Sequence, residues 1–327
     1  MRRFFPVGLV LGFLLVGSGC GNQGYYGKFK MGLMPQSKNS AYFQACARGA
    51  EEAAKELGID LVYDGPDKNN ASEQIQMLER WMSQGFKCIA VAPIDSRRIA
   101  PVLKSVADQG TIVLTFDTDA ESGPQYFINP ATYDDIAKTL VEGMADEMGG
   151  PGQVGILTSM LQIPTQNAWI RRMREYRKQH YAGMELLEEK DCQEDSKLGT
   201  DRSRDMIQAN PDLKGIIGLT PIAASAAADA VELEGKRGQV HIVAMSMPSQ
   251  MRKHLKCGTV QTVVLWKPAD LGYLTVHVAD LIHKGIMKGE GKIHAGRLGE
   301  VQVRNSYEVI LGMPMKFTAE NIDQFDF

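Results

Sequence analysis

From residue 28 onward the chain alternates short, apolar, often β-branched runs with longer segments of helical periodicity, and this alternation limits the fold more than any other feature. The runs fall at 29–34, 59–63, 88–92, 111–116, 154–158, 184–187, 213–219, 240–244 and 260–266, most of them separated by one helix-length stretch. In 42–57, Phe43, Cys46, Ala50, Ala54 and Leu57 recur at three- and four-residue steps, which makes one buried face, and Gly58 supplies the stop. Strand-helix-strand repeats need right-handed crossovers, and therefore a mainly parallel sheet with helices on both faces. The fold class is α/β. A short extended stretch at 125–129 and a long helix at 133–148 precede a restart of the alternation at Gly152. The 327 residues thus divide into two similar halves, as expected at roughly 100–200 residues per domain. No repeat of roughly 20–50 residues is visible, so the architecture is duplicated and not a solenoid. Gly149-Gly150-Pro151-Gly152 precedes a strand, whereas a dinucleotide fingerprint follows one, and it reads as a helix-to-strand turn.

The N-terminus has the three-part layout of an export signal: Arg2 and Arg3, an apolar stretch over 4–16, then Gly17-Ser18-Gly19-Cys20. The apolar stretch contains Pro6 and falls short of the roughly 20 residues that cross a bilayer as a permanent helix. A Cys after small residues resembles a bacterial lipoprotein signal, with Cys20 lipidated, although Gly17 stands where that pattern usually has Leu. Export without an anchor is the alternative. Residues 1–20 then form the signal and 21–27 a flexible tether, which places the protein in the periplasm or another extracytoplasmic space.

An oxidising compartment permits disulfides. Cys46 and Cys88 lie in helix and strand patterns that suit buried free thiols, while a Cys192–Cys257 bond stays open. No two Cys are three apart and no two His four apart, so no metal site is expected. With 44% hydrophobic and 23% charged residues the chain is neither disordered nor fibrous. A formal charge of -3 gives no attraction to nucleic acid. Gly-x-Ser-x-Gly, His-Glu-x-x-His and phosphate-loop motifs are all missing, and no His follows a strand where it would serve as a base, so neither an enzyme nor a cofactor is expected.

Ligands of open parallel sheets sit beyond the carboxyl ends of the strands. The sequence places Gln36, Tyr42 and Phe43 after the first run, and Asp117 and Asp119 after the fourth. Thr165, Gln166, Asn167 and Trp169 follow the first strand of the second half, and Thr220, Pro221, Ser246, Trp266 and Lys267 follow later ones. Each has an ordinary reading as well. Asp117, Gln166 and Asn167 suit helix caps, Asp119 a solvated charge, Trp169 and Trp266 a core, and Lys267 a surface. Their joint position at one sheet edge favours a polyhydroxylated ligand, whose hydroxyls need carboxylate and amide partners and whose C–H face needs flat rings.

At these residues the chain resembles the type I periplasmic sugar-binding proteins, the solute receptors of ABC importers. It is most similar to the rhamnose-binding and autoinducer-binding branch, through AYFQACARGAEEAAKELG, TQNAWI, MPSQM, LWKPADLGY, IHAGRLG and the ending NIDQFDF. The resemblance implies two doubly wound parallel-sheet lobes joined by three chain crossings, near Asn129, at 263–266 and within 297–308. The first lobe would take 28–129 and about 265–297, the second 130–264 and about 298–327. Asp117, in LTFDTD, matches the family's ligand-binding aspartate. Gln166, Asn167 and Trp169 match the amide pair and Trp of the second lobe, Trp266 the hinge-strand aromatic, and Tyr42 and Phe43 the aromatics against the ligand. Autoinducer receptors carry Lys where Gln36 stands and Asp where Thr165 stands. Lys267 and Ser246 also replace residues usual in relatives. A small neutral sugar, rhamnose-like or a pentose, is therefore expected, bound by a monomeric receptor that hands it to an inner-membrane ABC permease. The rivals are an autoinducer receptor or sugar sensor of the same fold, and a sugar-modifying enzyme.

Overall fold

A computed structural model describes Met1 and residues 29–161, 164–287 and 289–327. Beyond Met1, the expected signal peptide, the tether and the lipidation site at Cys20 lie outside the described residues. In the first half, β1 (Lys30–Met34), α1 (Ala41–Leu57), β2 (Asp60–Tyr63), α2 (Ala71–Met82), β3 (Cys88–Val91), α3 (Ser96–Asp108), β4 (Ile112–Phe116) and β5 (Tyr126–Asn129) alternate as expected. The second half runs α4 (Tyr133–Met148), β6 (Gly152–Thr158), α5 (Pro164–His180), β7 (Met184–Leu186), β8 (Lys190–Asp191), α6 (Ser196–Ala209) and β9 (Leu213–Gly218). It continues through α7 (Pro221–Leu233), β10 (His241–Met245), α8 (Pro248–Cys257) and β11 (Thr262–Leu265). Then follow α9 (Pro268–His283), β12 (Gly291–His294), β13 (Glu300–Arg304), β14 (Glu308–Ile310) and β15 (Met315–Phe317).

Two sheets result, ordered β12-β13-β14-β5-β4-β3-β1-β2 and β15-β11-β10-β9-β6-β7, with β8 also on β6. Pairing is parallel except along β12-β13-β14 and between β15 and β11. Strand alternation sends successive side chains of the first sheet to opposite faces. Leu114 and Phe116 join the core under α1 and α9, while Val113 joins the core under α2 and α3. Trp81 is core there, stacked on Phe86 at 4.7 Å. Helix ends follow local chemistry: Asn70, Asp95, Thr132 and Asp195 accept N–H groups of their first turns, and Gly58 and Gly149 close α1 and α4 in left-handed conformations at φ 72° and 62°.

The chain crosses between lobes at 130–132 and at 266–267. The third crossing differs. Strands β13 and β14 stay in the first sheet, β14 paired with β5, so the crossing lies at 311–314 and not within 297–308. The part of 298–327 in the second sheet is therefore β15, not the whole segment. At the first crossing the Asn129 amide donates to Glu308 Oε1 at 2.5 Å and accepts from Ala131 N–H. At the second, α9 returns to lie on α1 with backbones in contact. A Cβ at Gly49 would sit 1.7 Å from the Ala269 carbonyl oxygen, and one at Gly272 would sit 1.9 Å from that of Cys46.

The four described cysteines, Cys46, Cys88, Cys192 and Cys257, are unbonded, the first three buried. Among the described residues no helix is long and apolar enough to cross a membrane, and no cluster of three His, Cys, Asp or Glu is placed to hold a metal.

Candidate binding site between the lobes

Strand β4 ends in a three-residue turn in which Thr118 N–H donates to Phe116 C=O at 2.7 Å. Asp117 occupies its apex at φ 64°, a left-handed conformation that a non-glycine residue seldom adopts. Such strain is kept where the surroundings hold it, and it marks functional positions. Here Asp117 N–H is tied to Ile128 C=O, and the carboxylate is held from two sides. Tyr42 OH donates to Oδ1, while Thr118 Oγ1 donates to Oδ2 at 3.2 Å. Burial pushes the Asp117 carboxyl up to about 6, against the opposing pull of those two hydrogen bonds.

Four of the residues expected at the sheet edge meet in this network. Gln36 Nε2 donates to Thr118 Oγ1 at 2.9 Å and to Pro93 C=O at 2.9 Å. Trp266 Nε1 donates to Tyr42 OH at 2.7 Å. Trp266 packs in the second-lobe core and Tyr42 touches the cores of both lobes, so this bond joins the hinge strand to α1. Burial, then the Asp117 charge, raises the Tyr42 phenol well above its usual range, which keeps its proton in place. Phe43 is a buried core ring, edge-on to Phe116 at 6.0 Å and to Tyr42 at 5.0 Å, and braces Tyr42 from behind.

Asp119 turns away from Asp117. Its carboxylate accepts from Thr115 Oγ1 at 2.6 Å, Ala120 N–H at 2.8 Å and Tyr307 OH at 2.9 Å, beside a cavity of about 380 Å³ on the hinge flank. Burial raises its pKa.

In the second lobe most candidates are engaged with their own backbone or neighbours. Gln166 is buried, its Oε1 accepting from Ser159 N–H at 3.0 Å and from Thr158 Oγ1, and its Nε2 donating to Ser159 Oγ. Asn167 Nδ2 donates to Leu161 C=O at 2.7 Å. Thr220 caps α7 by accepting from Ala223 N–H, and Pro221 is its exposed first residue. Ser246 is buried and donates to Gln250 at 3.3 Å. Lys267 Nζ lies over the Phe325 ring at 5.6 Å. Thr165 is half-buried in the first turn of α5. Trp169 stands apart: its ring packs on the second-lobe core, yet its buried Nε1–H has no partner among the described residues. An indole N–H is only a donor, and an unmet buried donor is costly. Thr118 lies in the same polar stretch after the fourth run as Asp117 and Asp119, but no motif gives it a role; its hold on Asp117 comes from the turn geometry.

Residues 31–286 match the family model described as a periplasmic binding protein domain. The D-ribose/D-allose-binding protein of Pseudomonas aeruginosa is 26% identical over 245 residues, 71% of this chain and 75% of the relative. The ribose import binding protein RbsB of Bacillus subtilis is 22% identical over 264 residues, 81% of this chain and 85% of the relative. A sugar ABC transporter structure from Actinomyces odontolyticus matches with a TM-score of 0.85 at 29% identity, covering 92% of this chain and 100% of its own. A solute-binding protein from Clostridium phytofermentas with bound L-rhamnose matches in fold, with a TM-score of 0.75 at 24% identity, covering 91% and 98%. With the two-lobed α/β architecture and a family match over most of its length, the chain belongs to the periplasmic binding protein family, whose members here are binding proteins and not enzymes.

Proposed function

We propose that the protein is the extracytoplasmic sugar receptor of an ABC importer, taking a small neutral sugar between its lobes and closing over it. The observation that carries this reading is Asp117, a strained, partly buried carboxylate at the carboxyl edge of the first sheet, held by uncharged donors and joined to no Lys or Arg among the described residues. A lone carboxylate of that kind repels anions and accepts hydroxyl protons. The relatives' names support the class: ribose and allose for curated ones, L-rhamnose for one of the solved structures. A rhamnose-like deoxyhexose or a pentose is the favoured ligand, because Gln36 and Thr165 stand where autoinducer receptors carry Lys and Asp.

In this reading Asp117 and Gln36 hold hydroxyls from the first lobe. Trp169 supplies a donor and an apolar face from the second, with Gln166, Asn167 and Thr220 shaping that wall. Contacts from both lobes exist together only in the closed form, so ligand binding shifts the open-closed population toward the form a permease engages.

A thermal-shift screen of the chain from Gly24 onward against L-rhamnose, D-ribose, D-arabinose, D-allose and the autoinducer tests the proposal. A ligand at one hundred times its Kd stabilises by about 2.7 kcal/mol, a readily measured rise in Tm. No response to any sugar, with a response to the autoinducer, would replace the sugar by the signal molecule. The anchor is tested separately: Cys20→Ser should move the protein from the membrane fraction to the soluble one, and an unchanged distribution would rule lipidation out.

A further inference from the structure

Two ends of the hydrogen-bond chain around Asp117 leave no freedom in where its protons lie. At one end the Trp266 indole N–H can only donate, so Tyr42 OH accepts it and its own proton points to Asp117 Oδ1. At the other end Pro93 presents a carbonyl, which can only accept, so the Gln36 atom facing it is the NH₂ group. That same NH₂ donates to Thr118 Oγ1, whose proton is directed to Asp117 Oδ2. Each carboxylate oxygen has two acceptor positions, and each has one filled by the protein. One acceptor per oxygen remains among the described residues.

We propose that Tyr42 is a positioning residue, steered by Trp266, that holds Asp117 as a double acceptor and so selects ligands in which two neighbouring hydroxyls donate protons to one carboxylate. The inference rests on the sugar-receptor reading for its ligand but not for the relay itself. Tyr42 then acts through its hydroxyl and not as a stacking ring, since its ring is wedged between Phe43 and Trp266 at 5.0 and 6.4 Å. Among the described residues the titratable groups facing Asp117 are Tyr42 and Cys46 of α1, both kept neutral by burial, with Asp119 on its own loop turned to Tyr307.

The sign of the pH effect follows. Asp117 accepts two hydroxyls only when ionised, and its ionisation lies near pH 6, so affinity is full above that pH and falls about tenfold per unit below it. The Tyr42 hydrogen bond favours the ionised form, and removing it moves the midpoint upward.

Carbon-13 NMR of the ligand-free, full-length protein measures the Asp117 carboxyl titration in wild type, Tyr42→Phe and Trp266→Phe. The midpoint should rise in Tyr42→Phe and, by less, in Trp266→Phe. An unchanged midpoint in Tyr42→Phe overturns the relay, whatever sugar the protein binds. Calorimetry with L-rhamnose and D-ribose from pH 5 to 8 is the second readout. For a sugar bound by wild type, Tyr42→Phe should weaken binding about tenfold at pH 8 and shift the profile to higher pH. Loss of affinity with an unshifted profile would mean a merely structural role and would also overturn the proposal. If neither sugar binds wild type, the ligand class fails while the NMR titration still decides the relay.

Discussion

The two lobes share an architecture but differ in how their candidate side chains are employed. In the first, Gln36, Thr118, Asp117 and Tyr42 form one connected chain, reached from the hinge strand by Trp266, and its remaining acceptors are free among the described residues. In the second, Gln166, Asn167, Thr220 and Ser246 are occupied by Ser159, Leu161, Ala223 and Gln250, while the buried Trp169 N–H is unmet among the described residues. A receptor that must bind before it closes benefits from this asymmetry. A preorganised lobe captures the ligand without reordering side chains, and the other lobe adds a few contacts at closure. Two helical glycines, one from each lobe, also differ in what they face. The α1–α9 crossing in the first lobe is backbone against backbone at Gly49 and Gly272, whereas Gly143 in α4 of the second has 3.6 Å between its notional Cβ and Thr262 Cγ2.

The largest effect expected from breaking this contrast is on the α1–α9 crossing. Gly272→Ala puts a methyl against the Cys46 carbonyl, backbone that cannot rotate aside, so the helices must separate. Overpacking of this severity costs about 3 kcal/mol and should lower the first lobe's Tm by roughly 6–12 °C in calorimetry. A Tm within a degree of wild type would show that α9 docks more loosely than the contact implies. Next comes Asp117→Ala, which removes both remaining acceptors and strands the Tyr42 hydroxyl. Affinity for the sugar found in the screen should fall at least about a hundredfold, since each hydrogen bond to a charged group contributes roughly 1.5–3 kcal/mol. Retained affinity in calorimetry would move the binding centre to the second lobe.

Why some of this was legible in the sequence, and some not, has physical reasons. Helices α1 and α4 announce themselves through apolar periodicity and the glycines that stop them, and the structure places them at Ala41–Leu57 and Tyr133–Met148. The third crossing was misplaced because β13 and β14 are short, and yet a signal exists. In Glu300–Arg304, Val301 and Val303 are buried between exposed Glu300, Gln302 and Arg304, a period of two. Asn305 and Ser306, at φ 53° and 54°, are the central residues of the hairpin turn, which Tyr307 N–H closes on Arg304 C=O at 3.0 Å. At the site, position at the sheet edge picked out Gln36, Tyr42, Asp117 and Trp266, which the structure joins in one hydrogen-bond network through Thr118. It could not separate ligand contacts from caps among Gln166, Asn167 and Thr220, because the same oxygen or amide that caps a helix start also suits a sugar hydroxyl. That choice is made by side-chain rotation, which residue type does not encode.

Two smaller perturbations sharpen the comparison from the second lobe. Trp169→Phe keeps a ring against the core and deletes the unmet N–H. If that donor is reserved for ligand, affinity should fall about fivefold, the equivalent of roughly 1 kcal/mol for one neutral hydrogen bond, with no loss of Tm in the free protein. A gain in Tm without any change in affinity would mark the N–H as a flaw of the core and leave capture wholly to the first lobe. The smallest effect belongs to Gly143→Ala. The new methyl would make ordinary contacts with Thr262, Val243 and Lys316, at 3.6, 3.7 and 3.9 Å, and an alanine in a helix interior is favoured over glycine by roughly 0.5–1 kcal/mol. The expected rise in Tm of about 1–4 °C has the opposite sign to that of Gly272→Ala. The two glycine-to-alanine changes then differ in what stands opposite the methyl, side-chain carbons at ordinary contact distance in one lobe and a carbonyl oxygen at 1.9 Å in the other. A fall in Tm for Gly143→Ala would mean that α4 is as tightly constrained as α1, and the mechanical difference between the lobes would be confined to their polar residues.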